Sequence, residues 1–319
     1  GIAKTSLGAT LATPNGLGGS KFSDVIGGAI GELANPALAN IFSANNGPGL
    51  EMLRCANMKI FGSFFGTDKT GMLGIGNAGP GIEVSESTLT EVHQATISGN
   101  EDVGLYAHEL PEDNSGEPTL TVSESNIGVV KTENGAVLAV RNFSDGMKLI
   151  DVGKFLIGVQ GALNNRKKNL ISANDGNGLT VNNSGFVGGF LSTINHTILG
   201  TDEAGNPGLG NLQKCVLINN ASNILIGSLD SQLRVVMSGC TEAGLKLAGQ
   251  ATSTIRVLNT FFGVAPDGNN GVGNGGDGVL ISESAHDNNI GGQGENEGNT
   301  IAFNGGAGVR IDDTAGTGN

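Results

Sequence analysis

Phe262-Gly-Val-Ala-Pro-Asp-Gly-Asn-Asn-Gly-Val-Gly-Asn-Gly-Gly-Asp-Gly-Val-Leu-Ile281 recurs without a gap as Phe65 to Val84 and as Leu199 to Ile218. Gly66, Gly200 and Gly263 coincide, as do the glycines at 71/205/268, 74/208/271 and 76/210/273. Asn77, Asn211 and Asn274 follow, and each copy closes on an apolar-x-apolar triplet. A glycine-rich loop that delivers the chain into a short strand, repeated at long period, is the signature of a solenoid.

A second repeat alternates with the first. It runs Val25-Ile-Gly-Gly28, Asn40-Ile-Phe-Ser-Ala-Asn45, Gly49-Leu-Glu-Met52, and returns at 157–181 and 289–311. Weaker copies lie at 95–106 and 226–247. The triplets Leu50-Glu-Met52, Ile82-Glu-Val84, Leu179-Thr-Val181 and Val309-Arg-Ile311 put a polar residue between two apolar ones. A strand points alternate side chains to opposite faces, so the flanking pair faces a core and the middle residue faces water. Val216-Leu-Ile218 and Val279-Leu-Ile281 carry an apolar middle residue and mark a covered or interacting face there. Asn45, Asn100, Asn174 and Asn304 fall at the turns before triplets. Asn tolerates positive φ, and stacked amides can bond along a column. Each interval between triplets holds two or three short strands, which is one coil of a parallel β-helix.

These two repeats resemble those of right-handed parallel β-helix proteins, the pectin-lyase-like superfamily. They are most similar to the Gly/Asn-rich arrays of large secreted bacterial proteins. The resemblance covers 25–106 and 157–311. It implies an all-β, right-handed solenoid of roughly ten coils, but not one function, because the superfamily holds lyases, hydrolases, epimerases, adhesins and structural arrays. The expected organisation is an N-terminal cap or assembly arm at 1–24, the β-helix at 25–311 and a C-terminal tail at 312–319. The centre near 107–147 is degenerate, with an acidic loop, Leu110-Pro-Glu-Asp-Asn-Ser-Gly-Glu-Pro118.

Composition narrows the partners. The formal charge is −13, with 17 basic and 30 acidic residues. Affinity for nucleic acid comes largely from Lys and Arg at phosphates, so none is expected. No apolar run is long enough to span a membrane. Three cysteines, Cys55, Cys215 and Cys240, make no disulfide framework. Cys215 and Cys240 fall in neighbouring coils at different points along the coil, so all three are read as small hydrophobes.

Candidate chemistry is sparse. Tyr106-Ala-His-Glu109 is the best catalytic cluster: Tyr106 and His108 share a strand face as acid and base, with Glu109, Glu112 and Asp113 nearby. Arg166-Lys-Lys168 reads as a solvated turn. Asp68 and Asp202 occupy one position of the glycine loop, where Ca²⁺ is the candidate cofactor and an Asx turn the plainer reading. The G-x-G-x-x-G runs from Gly74 and Gly271 lack the helix that a dinucleotide site needs. Sequons at Asn142, Asn182, Asn195 and Asn220 are glycosylation sites only if the chain passes a glycosylating pathway. With no Trp, one Tyr and its 12 Phe mostly in core-like pairs, the chain is poor in sugar-stacking rings. The resulting expectation is a non-enzymatic extracellular structural or adhesive solenoid. It would assemble end to end as a filament subunit or belong to a larger surface protein, with carbohydrate a possible ligand. The alternatives are a polysaccharide lyase, hydrolase or epimerase, and a phage-type receptor-binding spike.

Overall fold

A computed structural model describes residues 25–27, 39–112, 116–161, 166–185 and 191–319. The expected arm at 1–24 and the residue Asp113 lie outside them. The chain is a parallel β-helix. Three nine-stranded parallel sheets, here A, B and C, each take one strand per coil in sequence order. Coils 1 to 9 span residues 25–53, 59–85, 90–110, 120–152, 155–182, 192–219, 224–248, 256–281 and 289–311. Nine coils are thus described where roughly ten were expected. Residues 312–319, read above as a tail, lie in register on the turn before them: the Asn288 amide donates to Asn319 Oδ1 at 2.9 Å, and Ser284 N–H donates to Thr314 O at 2.6 Å.

The interior is built from like residues stacked on like. Phe42, Phe65, Ile97, Ile127, Ile171, Leu199, Met237 and Phe262 form the inner column of sheet B, all buried. The Phe42 and Phe65 rings stack at 4.8 Å. The triplets fill sheet C as their alternation predicts, with Leu50, Ile82, Leu105, Met147, Leu179 and Val216 buried in one column. Leu217 and Leu280 are half-buried on its outer face, each beside Lys246 in register. Leu280 also has Arg310 beside it and Leu217 has Thr180, so long polar stems flank both leucines.

The two repeats become two kinds of connection from sheet B to sheet C. Odd coils cross by short segments: 43–49, 98–104, 172–178, 238–244 and 302–308. Even coils cross by long ones: 66–81, 200–215 and 263–278, and in coil 4 a hairpin of Val129–Lys131 with Val137–Ala139 inside 128–146. The first four short segments each open on a serine whose hydroxyl donates to the long segment of the next coil. The bonds are Ser43 to Thr67 O, Ser98 to Val129 O, Ser172 to Thr201 O and Ser238 to Val264 O, at 2.7–3.1 Å. The long segments fold back over the outside of sheet B. There Val129, Leu170, Ile198, Leu209, Val236, Phe261 and Val264 make a second apolar cluster. The pair Phe261-Phe262, read as core, is therefore split between the two sides of the sheet. Within the degenerate centre, residues 128–146 are a change in this one connection, and all three sheets continue through it.

An asparagine ladder ties the coils at this corner. Side-chain amides donate to the next Oδ1 from Asn45 to Asn77, Asn100, Asn142, Asn174 and Asn211, at 2.7–3.0 Å. Asn274 and Asn304 continue it at 2.9 Å. From Asn77 onward each amide also reaches a backbone carbonyl of sheet B, as Asn142 does to Ile97 O. Beside each asparagine runs a column of glycines. A Cβ on Gly178 would stand 2.6 Å from Cys215 O and 2.7 Å from Asn211 Nδ2. Gly49, Gly81, Gly104 and Gly146 are crowded in the same way by the next coil's asparagine.

In one place this pair is replaced. Cys215 stands in the glycine column of coil 6, Cys240 in the asparagine column of coil 7, and the two form a disulfide with Cα atoms 5.6 Å apart. This corrects the reading of both as small hydrophobes. Their different positions along the coil are what brings them together, because a glycine site abuts the asparagine site of the following coil. Cys240 N–H still donates to Asn274 Oδ1 at 3.0 Å, so the ladder resumes beyond the bridge. Cys55 is free and partly buried.

Candidate functional site

Tyr106 and His108 do share the outer face of sheet C, their rings stacked at 4.6 Å. The carboxylate nearest His108 Nε2 is that of Glu83, one coil back at 3.4 Å, which no local motif pointed to. Glu109 follows with φ 54° and is exposed. Burial pushes the Tyr106 phenol above its ordinary value, and Glu83, Glu109, Asp102 and Asp151 push it the same way. It therefore holds its proton tightly and is a poor proton donor. Asp68 takes the Thr70 hydroxyl at 2.8 Å and Leu73 N–H at 3.2 Å. Asp202 takes the backbone N–H groups of Ala204 and Asn206, both at 3.0 Å. In the third copy Asp267 takes over, binding the N–H groups of Asn269 and Asn270. These carboxylates close turns, and among the described residues no three His, Cys, Asp or Glu gather as a metal site.

The sequons divide. Asn142 is a fully buried member of the ladder, and Asn195 is buried with its amide bonded to Val159. Asn182 and Asn220 are half-exposed.

A lateral concavity lies on sheet A, which the sequence reading did not single out. It has a volume of about 650 Å³ and crosses coils 2 to 5. Its floor is two outward columns set by register. Lys59, Glu91, Thr121 and Leu156 form one, and Phe61, His93 and Ser123 the other. Beneath them Ile60, Val92, Val122 and Ile157 are fully buried. Glu117 and Pro118 stand at one rim, Gln160 and Arg166 at the other. Arg166, read as part of a solvated turn, is thus a groove residue.

Its charges are largely mated. Lys59 pairs with Glu91 at 3.1 Å. The Glu124 side chain is 7% exposed and lies 3.8 Å from both His93 Nε2 and Arg166 Nε. His93 Nδ1 shares a hydrogen bond with Ser123 Oγ at 2.8 Å, and its ring meets Phe61 edge-on at 5.5 Å. Burial pushes the His93 imidazole below its ordinary value, against the raising influence of Glu124; Arg166 lowers it further and Glu91 raises it.

Behind Arg166, the His196 ring sits between the carbonyls of Gln232 (3.1 Å) and Arg166 (3.2 Å). Burial pushes it down by more than those bonds raise it. For a histidine depressed on folding, the unfolded chain binds more protons near its ordinary value of about 6.5, so stability rises with pH there. Both contributions are whole above that value and are lost as pH falls through it toward the depressed folded values. The melting temperature is expected to fall between about pH 7 and pH 5, and His196→Gln to flatten that slope. An unchanged slope in the variant would remove His196 from this account.

No family model matches the chain, and no curated protein matches it. Among the described residues no helix is long and apolar enough to cross a membrane.

Proposed function

We propose that the chain is a non-catalytic extracellular structural or adhesive β-solenoid, of the kind found among the structural arrays of the pectin-lyase-like superfamily. The observation that carries this is the unbroken corner of the rod. A buried amide ladder runs from coil to coil, and where it changes chemistry the replacement is a covalent bridge. Such bridges persist in oxidising compartments, which supports a location outside the cell. Nine coils at a strand spacing of about 4.8 Å give a rod roughly 40 Å long that presents its side chains in columns.

The enzyme reading has one observation in its favour, the Tyr106–His108–Glu83 cluster. The two readings separate in one set of experiments. The secreted protein is alkylated without reduction and weighed, then incubated with a panel of uronate and neutral glycans. We expect Cys215 and Cys240 to resist alkylation and no glycan to be cleaved. Turnover that disappears in His108→Ala would establish the enzyme instead.

A further inference from the structure

We infer that the outer corner of coils 2 to 4 is a contact surface for a second copy of this chain, packed antiparallel to the first. The inference goes beyond the scaffold reading and does not depend on it.

Exposed apolar residues gather at this corner. Met72, Leu73 and Ile75, on the long connection of coil 2, are 56%, 62% and 40% exposed. Leu138 and Phe143, on that of coil 4, are 41% and 62% exposed. The two connections meet over the short crossing of coil 3. A Cβ on Gly74 would stand 3.4 Å from Val140 Cγ1 and 3.8 Å from the Cα of Gly99, so the patch is continuous. It reaches roughly 500 Å², near the top of what a monomer leaves bare. With its polar rim it approaches the roughly 800 Å² per partner of a standard interface.

The fold does not ask for these residues. The gapless copies of the connection place Asn206-Pro207 and Asn269-Asn270 where coil 2 has Met72-Leu73. There the amides of Asn206 and Asn270 donate to the carboxylates of Asp202 and Asp267 at 2.7 Å. In coil 2 the Thr70 hydroxyl takes over that task at Asp68, and Met72 and Leu73 are left to solvent.

What selects a second copy is the match between coils 2 and 4. Counted from the ladder asparagines Asn77 and Asn142, Leu73 corresponds to Leu138 and Ile75 to Val140. Ile75 N–H donates to Gly66 O and Val140 N–H to Gly128 O, both at 2.9 Å, so the two positions are built alike. A two-fold axis perpendicular to the rod, lying in front of coil 3, sets coil 2 of one copy against coil 4 of the other. Like apolar positions then meet, as a self-complementary interface requires. Unlike ones fit: the large Phe143 faces the small, exposed Ala78, its counterpart one residue after the ladder. The rims are opposite in charge. Lys69, at the turn of the coil 2 connection, faces Glu133, at the tip of the coil 4 hairpin. Both are exposed, and neither forms an ion pair among the described residues. An anionic surface, by contrast, is repelled by the charge of −13.

Sedimentation equilibrium of the full chain, from micromolar to near-millimolar concentration, should show monomer and dimer in exchange. Leu73→Asp should weaken the dimer by about tenfold or more. Lys69→Glu and Glu133→Lys should each weaken it too, by placing like charges on both rims. An equimolar mixture of those two variants should restore it, because every rim contact then joins opposite charges. Unchanged far-ultraviolet circular dichroism of each variant excludes misfolding. A monomer at every concentration, a dimer indifferent to Leu73→Asp, or a charge-reversal mixture that stays apart would each overturn the inference. Flotation of the monomer with phosphatidylcholine vesicles, lost in Leu73→Asp, would overturn it in favour of a membrane surface. None of those results touches the alkylation and turnover tests of the scaffold.

Discussion

Replacing Cys215 and Cys240 together by serine is expected to cost about 3–4 kcal/mol, the chain-entropy value for a loop closed over a separation of 25 residues. The decisive comparison is a second double variant, Cys215→Gly with Cys240→Asn. It writes into coils 6 and 7 the pair that the neighbouring coils already use. The asparagine introduced at position 240 would receive the amide of Asn211 and donate to Asn274. The glycine introduced at position 215 would give it room, as Gly178 does for Asn211. This variant should recover a large part of the loss in a urea titration, with an unchanged slope. If it is no more stable than the serine pair, the glycine and asparagine columns do not stabilise the corner and their account here fails.

The second large effect is expected within the ladder. Asn174 is fully buried, donates to Asn211 Oδ1 and to the carbonyls of Ile127 and Ser172, and accepts from Asn142. Asn174→Ala removes these four bonds, but Asn211 Oδ1 keeps the Asn174 N–H, Ile127 O keeps the Ser172 N–H and the Asn142 amide keeps Ile97 O. With the bonds lost and the remaining groups only part-satisfied, a total loss of about 2–4 kcal/mol is expected. Gly178→Ala should be comparably harmful, because a backbone carbonyl 2.6 Å from the new Cβ cannot swing aside as a side-chain end can. Asn46→Ala, on an exposed residue next to the ladder, should change stability by less than about 0.5 kcal/mol. Equal losses at Asn46 and Asn174 would show that the corner tolerates any asparagine alike.

What the sequence disclosed follows from the range of each interaction. The triplets were legible because strand alternation is local. The turn asparagines were legible only as stacked amides: the positive φ expected of them falls on the residue before each, Ala44, Gly99, Ala173 and Phe303, and not on Asn45, Asn100, Asn174 or Asn304. The aspartates of the glycine loop were legible for the same reason as the triplets: Asp202 closes its turn by reaching no further than Asn206. The disulfide was not, since its geometry depends on how coil 6 is staggered against coil 7. It could have been found by aligning Cys215 with Gly178 and Cys240 with Asn211. The groove was hidden more deeply. Lys59, Glu91, Thr121 and Leu156 are neighbours only after four coils have stacked, and no two of them are close in the chain. The candidate cluster at Tyr106 and His108 was seen as a local pair, while its carboxylate, Glu83, belongs to another coil.

The alternation of short and long connections sets a unit of growth for this molecule. Excising one coil would bring two like connections together. A serine such as Ser172 would then face no long segment whose carbonyl could accept its hydroxyl. Excising or duplicating two adjacent coils preserves every such partner, as the gapless match between Leu199 to Ile218 and Phe262 to Ile281 already suggests. Length in this architecture therefore changes by pairs of coils, and lineages that lengthen or shorten the rod should differ by even numbers.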